Sequence, residues 1–210
     1  MQIDQILVTN MAVFCYLIVD KDSKEAVLID PAGDFDKIEE RIKANEANIK
    51  YIINTHGHWD HVSGNDYMRE TTEAKLLIHS RDLEKLEGQD VSDNTPFTKI
   101  DEEPDHAVYL IEENDVIKIG KIEIHVVHTP GHSAGAVCLY CNGHLFTGDT
   151  MFTEGYGRTD LPGGSEIELV TSIRDKILTF PDETVILPGH HYGVSPTSTV
   201  LEQKKFYGLT

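Results

Sequence analysis

Four short apolar runs in this sequence finish in the same way, and that repetition limits the folds open to it. Lys50–Asn54 runs straight into Thr55–His61, THGHWDH, so His56, His58, Asp60 and His61 follow its end. Ile122–His128 leads into Thr129-Pro130-Gly131-His132, His144–Thr147 into Gly148-Asp149-Thr150, and Thr184–Leu187 into Pro188-Gly189-His190. Each run has the apolar, β-branched character of a buried strand. In three of the four, glycine beside the polar residue permits a sharp turn and a close approach of side chains. Five imidazoles left unpaired at strand ends would be costly. The fold therefore has to bring these ends together, on loops held by a rigid sheet.

The remaining elements say what kind of sheet. Gln5–Thr9, Ala12–Val19 and Ala26–Asp30 read as strands separated by Asp/Ser/Lys turns. Phe35, Ile38 and Ile42 fall at helical spacing and predict a helix over Phe35–Ala44. Ser63 is the expected N-cap of a helix reaching about Glu73. Leu76–His79 is a further strand and Arg81–Leu86 a short helix; polar, acidic Gly88–His106 is expected to be a surface loop. Val116–Ile119 and Ala136–Tyr140 add strands to the second half. The glycine-rich loop Gly155–Gly164 precedes a helix over Glu166–Leu178, and Val200–Lys205 is a last short helix. Strands lead each half and helices are interspersed. That order predicts an α/β chain, two sheets face to face with helices outside, rather than the strict βαβ alternation of a doubly wound sheet. At 210 residues one domain, 1–210, is expected.

The donor inventory predicts a metal centre. Imidazole with carboxylate suits zinc, iron or manganese and needs no thiolate. His56, His58, His61, His132 and His190 with Asp60 and Asp149 make too many ligands for one ion. They suit two divalent ions sharing a carboxylate. Zinc is the first expectation, with iron or manganese open. In an extended segment His56 and His58 point to the same side, and Asp60 and His61, after a turn, can address a second ion. His79, His106, His125, His128 and His144 lack this context and are expected to be packed or surface residues. His191, beside His190, is expected to be exposed.

Several function classes are excluded. A net charge of −18 with no basic stripe argues against nucleic acid and anionic membranes as partners. The first residues lack a basic n-region and a cleavage site, and the apolar run Met11–Val19 is too short to cross a bilayer. Three cysteines, Cys15, Cys138 and Cys141, fit a reducing cytoplasm better than a disulfide framework. Cys138 and Cys141 have CxxC spacing, but in a strand positions i and i+3 face opposite sides, so the thiols should diverge.

THGHWDH, TPGHSAGA, TGDTMF and LPGHHYG, in this order, resemble the metallo-β-lactamase superfamily over nearly the whole chain. Gly155–Ser165, GYGRTDLPGGS, most resembles the short glyoxalase II-like hydrolases within it. The resemblance implies a four-layer αββα sandwich with the metals in a groove at one edge of the sheets. It places His56, His58 and His132 on a first metal and Asp60, His61 and His190 on a second, with Asp149 bridging. It makes Asp30 a supporting carboxylate behind the ligands. Tyr192 stands at a substrate-binding tyrosine position and Arg158 at a basic one, while Asp160 occupies the place of a second substrate tyrosine. The C-terminal helical domain that binds glutathione in glyoxalase II has no counterpart before Thr210.

The implied activity is hydrolysis of a small-molecule thioester such as S-lactoylglutathione, by attack of a metal-bridging hydroxide on the acyl carbon. Asp60 and Asp149 would position that hydroxide. The alternative is a mono-iron persulfide dioxygenase using residues matching His56, His132 and Asp149; that group typically lacks the PGG at Pro162–Gly164. A non-catalytic metal-binding protein is a third reading. Lactamase activity and RNA processing are less expected, for want of an export signal and of a large second domain. Oligomeric state is left open.

Overall fold

A computed structural model of the chain describes residues 1–8, 10–86 and 108–209. Its first sheet is built from β1 (Gln2–Val8), β2 (Val13–Val19), β3 (Glu25–Ile29), β4 (Asn48–Ile53), β5 (Lys75–His79) and β6 (Val108–Ile111), side by side in that order. The second holds β7 (Val116–Ile119), β8 (Ile122–His128), β9 (Val137–Cys141), β10 (His144–Gly148), β11 (Val185–Pro188) and β12 (Ser198–Thr199), again in chain order. Strands β1–β3 pair antiparallel and β3–β6 parallel. The second sheet is antiparallel except where β10 lies beside β11.

Parallel neighbours need crossovers, and helices provide them. Helix α1 (Phe35–Ala44) joins β3 to β4. Helices α2 (Trp59–Val62) and α3 (Asn65–Thr72) join β4 to β5, and α4 (Glu166–Asp175) joins β10 to β11. Helix α5 (Val200–Phe206) follows β12, started by a capping box between Thr199 and Glu202.

The layering follows from side-chain alternation. Strand β2 is buried at every position, as a strand covered on both faces must be. Phe14, Tyr16 and Ile18 face the second sheet and pack among Leu139, Phe146 and Leu187. Val13, Cys15, Leu17 and Val19 face the other way, onto Ile38 of α1 and Met68 of α3. On the far side of the second sheet, Cys138, Leu145 and Ile186 meet Leu169 and Ile173 of α4 and Val200 of α5. The result is an α/β, four-layer αββα sandwich in one domain. Tyr16 and Phe146 meet edge to face at 5.0 Å between the sheets. Burying each such large side chain contributes about 1.5–3 kcal/mol.

The cysteines behave as the alternation requires. Cys138 points to α4 and Cys141 into the space between the sheets, so the CxxC thiols diverge. All three cysteines are free and buried.

Several elements differ from expectation. Ser63 does not begin a helix; it ends α2, its hydroxyl donating to Ala32 O, and Gly64 precedes α3. The α-helix expected over Glu166–Leu178 stops at Asp175 and continues as a 3₁₀ turn, Ile177–Thr179. Ser80–Lys85 is likewise 3₁₀. Strand β6 was not foreseen, and the expected surface loop Gly88–His106 lies outside the described residues. Among the described residues no helix is long and apolar enough to cross a membrane.

Candidate metal centre

The two sheets are stitched together at one edge, where β4, β8, β10 and β11 end. Phe14 N donates to Gly189 O at 2.8 Å, His191 N to Ala12 O at 2.9 Å, and Val137 N to Thr55 O at 2.8 Å. Gly148 allows a close approach of the two sheets. Its φ of +47° is left-handed, and a Cβ there would lie 2.5 Å from Thr55 Oγ1.

The loop after β4 is held from behind. Asp30, fully buried, accepts from Thr55 N at 2.8 Å, Thr55 Oγ1 at 2.6 Å and His61 Nδ1 at 2.9 Å. Asn54 and Asn65 exchange side-chain hydrogen bonds of 2.7 and 3.2 Å, pinning the start of α3 to the strand end. His58 keeps an extended backbone and caps α2. The single turn of α2 then carries Asp60 and His61 to a second position.

All seven expected donors converge. Donor atoms of His56, His58 and His132 lie within 4.8 Å of one another, and so do those of Asp60, His61 and His190. Asp149 stands between the groups: its carboxylate oxygens are 3.6 Å from His132 Nε2, 3.3 Å from His190 Nε2 and 3.4 Å from His61 Nε2. Asp30, His56 and His61 also come within 4.8 Å of one another. That third trio is no ligand set, because Asp30's oxygens already serve Thr55 and the outer nitrogen of His61.

The outer hydrogen bonds fix which nitrogen faces inward. His132 Nδ1 donates to Arg158 O at 2.7 Å and His190 Nδ1 to Met11 O at 2.9 Å. Thr55 Oγ1 gives its own proton to Asp30, so it accepts from His56 Nδ1 at 3.1 Å. With His61 Nδ1 on Asp30, four imidazoles turn Nε2 to the centre; His58 turns Nδ1. Inward nitrogens stand 2.8 Å apart for His58 and His132, 3.2 Å for His132 and His56, and 3.1 Å for His61 and His190. Lone pairs aimed at one another across such gaps repel unless a proton or cation lies between them. Asp149 Oδ1 is buried with no hydrogen bond. These features fit divalent cations held by neutral imidazole and carboxylate, with outer partners orienting the rings.

Electrostatics separate the two groups. Burial, then the neighbouring imidazoles, holds His56 well below its ordinary pKa; burial and His132 bring His58 to about 4. Burial also lowers His132. Neutral rings are the ligating form. For His61, burial opposes the charged form, but Asp149, Asp30 and Asp60 outweigh it and lift the pKa to about 9. For Asp149, burial opposes ionisation, yet His61, His190 and His132 outweigh it and hold the carboxyl at about 2.

A cavity of about 410 Å³ opens over the donors, with Asp60 and Asp149 in its wall. Trp59, Phe152, Leu161 and Tyr192 supply apolar surface. Tyr192, 53% exposed, stacks on His190 with ring centroids 4.4 Å apart. Arg158 also lines the cavity, but its guanidinium is bidentate to Asp160, both bonds 2.7 Å.

The histidines set aside in the sequence stand apart from the seven donors. His79 and His128 stack at 4.1 Å, His79 pairing with Glu112 at 3.1 Å and His128 bonding Ala134 O at 2.9 Å. His125 lies near Tyr140, and His144 Nδ1 donates to Asn142 O. His191 is exposed and packs on Phe14. His106 lies outside the described residues. Sequence reasoning missed Trp59 and Phe152 as cavity wall, Thr55 as the link between His56 and Asp30, and Asp82. Trp59 and Thr55 lie inside the histidine cluster, which was the available signal. Asp82 has none nearby.

An αββα sandwich with histidine and aspartate gathered at the joint edge of its sheets defines a class of metalloproteins. Residues 8–190 match the family described as the metallo-beta-lactamase superfamily, and the chain belongs to it. It is 32% identical over 191 residues to the probable metallo-hydrolase YqgX of Bacillus subtilis, covering 90% of this chain and 88% of that one. It is 33% identical over 194 residues to the human mitochondrial persulfide dioxygenase ETHE1, covering 91% of this chain and 68% of that protein. Among solved structures, the BLEG-1 B3 metallo-beta-lactamase superposes over the full length of both chains with a TM-score of 0.82 and 30% identity.

Proposed function

We propose that this protein is a metal-dependent thioester hydrolase of glyoxalase II type, acting on compounds such as S-lactoylglutathione. One observation carries the reading: two complete donor groups meet at the single buried carboxylate of Asp149. In this reading His56, His58 and His132 hold one ion, Asp60, His61 and His190 a second, and Asp149 both. Bound there, such ions lower the pKa of water toward ~7 and polarise an acyl oxygen, which is the chemistry thioester hydrolysis needs. Zinc is the first expectation, and the donor set accepts iron or manganese equally.

The chain's own groups do the rest. Asp60 and Asp149, both in the cavity wall, accept hydrogen bonds from the attacking water and hold its proton inventory. The thioester's C–S bond breaks as water's oxygen joins the acyl carbon, giving a carboxylic acid and a thiol. A thiolate leaves readily, so no separate general acid is required. Tyr192, Trp59 and Phe152 pack the apolar part of the substrate; Arg158 lines the same cavity and reaches an anionic group of the substrate only by leaving its pair with Asp160. The acidic chain suits a small-molecule substrate rather than nucleic acid or a membrane, and three free cysteines favour the cytoplasm.

A second reading has its own support. The identity to human persulfide dioxygenase, 33%, matches the 32% to YqgX, though it covers 68% of that protein against 88% of YqgX. The donor trio implied for a single iron, His56, His132 and Asp149, is assembled here, with His132 Nε2 3.2 Å from His56 Nε2 and 3.6 Å from Asp149. Parallel assays of one preparation decide. Hydrolysis of S-lactoylglutathione abolished by a chelator and restored by zinc is expected. Oxygen uptake with glutathione persulfide and no thioester cleavage would replace the hydrolase with the dioxygenase.

A further inference from the structure

Asp30 braces the loop that carries His56 and His61, and a second buried aspartate braces the other side of the site. Asp82 lies in the 3₁₀ turn after β5 and is 0% exposed. Its Oδ2 accepts from Gly57 N at 2.8 Å and Ser133 Oγ at 2.6 Å. Its Oδ1 accepts from Gly135 N at 2.9 Å and Lys85 Nζ at 2.6 Å. Gly57 sits between His56 and His58, and Ser133 directly follows His132. One carboxylate, from a third place in the chain, thus grips the two loops that supply the first donor group. None of these hydrogen bonds reaches Asp60, His61 or His190.

We propose that Asp82 is a positioning residue for the first cation, fixing the distance between the His56–His58 loop and the His132 loop. The loops belong to different sheets, and the inward nitrogens of His58 and His132 stand 2.8 Å apart across the gap. Ligand sets tolerate only about 0.5 Å of misplacement, so a brace between loops governs affinity. Burial opposes the Asp82 charge, but Lys85, Ser133 and Gly57 outweigh it and hold the carboxyl below its ordinary range. The brace is therefore ionised at neutral pH and accepts all four bonds, which an amide in its place cannot do. Asp30 and Asp82 divide the labour: one orients His61 and, through Thr55, His56; the other spaces the loops of His56, His58 and His132.

The inference rests on the metal reading of the site but on neither proposed reaction, and its test uses no substrate. Full-length protein stripped of metal is titrated with Co²⁺, following visible absorption and counting ions by elemental analysis. His58→Ala and His190→Ala serve as references that assign absorption to the first and second donor groups. Asp82→Asn is expected to weaken Co²⁺ at the first group by about 10–100-fold, the range for lost outer partners. Its first-group spectrum should change, while the second group stays within about twofold. Ser133→Ala removes one of the four bonds and is expected to show a smaller loss at the same group. Equal weakening of both groups, or unchanged first-group affinity and spectrum, would overturn the proposal. If Asp82→Asn does not fold, Ser133→Ala decides alone, and an unaltered first group there is equally fatal. A wild-type protein that binds two Co²⁺ yet cleaves no thioester would overturn the proposed hydrolase and leave Asp82 in its role.

Discussion

Asp149 concentrates the chemistry of the site in one side chain. Its carboxylate stands between inward nitrogens of both donor groups, and one of its oxygens is buried with no hydrogen bond. Asp149→Ala is therefore expected to lose metal and turnover together, with the ion count per chain falling and kcat dropping on the order of 10²-fold or more, as for loss of a transition-state stabiliser. Elemental analysis beside a turnover assay checks this; a variant that kept both would show that Asp149 bridges nothing. That these seven side chains gather was legible in the sequence because each is an imidazole or carboxylate in a loop that follows an apolar run, most with glycine alongside. Asp82 was not. It is one of 36 acidic residues, and the loops it grips lie 25 and 51 or more positions away. Arg158 shows a different limit: its position in the site was readable, but its carbonyl, which binds His132, belongs to a backbone that carries no sequence signal.

Elements were readable where periodicity was long and misread where one turn decides. Helix α1 spans the residues that its apolar spacing marks, Phe35–Ala44. Helix α2 is a single turn inside HWDHV, too short for any periodic signal, so Ser63 looked like a start instead of an end. Strand β6 is only four residues long and follows a polar stretch, too short a run to stand out although the turn at Glu112–Asp115 closes it. The loop carrying His132 depends on an element far from it. Ser165 N donates to Gly131 O at 2.7 Å and Ser172 Oγ to Pro130 O at 2.8 Å, so the loop rides on α4. Gly131 has φ +136°, and a Cβ there would lie 2.1 Å from Leu169 N in that helix. Gly131→Ala is expected to force loop and helix apart, costing about 1–3 kcal/mol as overpacking does. Ser172→Ala, which removes only a hydrogen bond, should cost about 0.5–1.5 kcal/mol. Urea unfolding midpoints measure both, and a Gly131→Ala protein as stable as wild type would mean the helix does not set the loop.

At the scale of the molecule, each donor group spans both sheets. His56, His58, Asp60 and His61 follow β4 of the first sheet, while His132, Asp149 and His190 follow β8, β10 and β11 of the second. The order of strands and helices was enough to foresee two facing sheets with helices outside. It could not show which edges meet, because that depends on long-range bonds such as Phe14 N to Gly189 O. The consequence is that any cation held here clasps the two halves of the sandwich. It binds the folded state and finds no such site in the unfolded chain, so it stabilises by mass action, about 2.7 kcal/mol per site at 100 times its Kd. For a domain of this size each kcal/mol moves Tm by ~2–4 °C, so filling one site should raise Tm by roughly 5–11 °C. Thermal unfolding is to be followed in chelator and then in rising zinc. Tm should climb with the logarithm of free zinc, and His58→Ala and His190→Ala should each lose part of the rise. A Tm indifferent to chelator and to zinc would mean that the gathered imidazoles hold no cation, and the sandwich is closed by its apolar core alone.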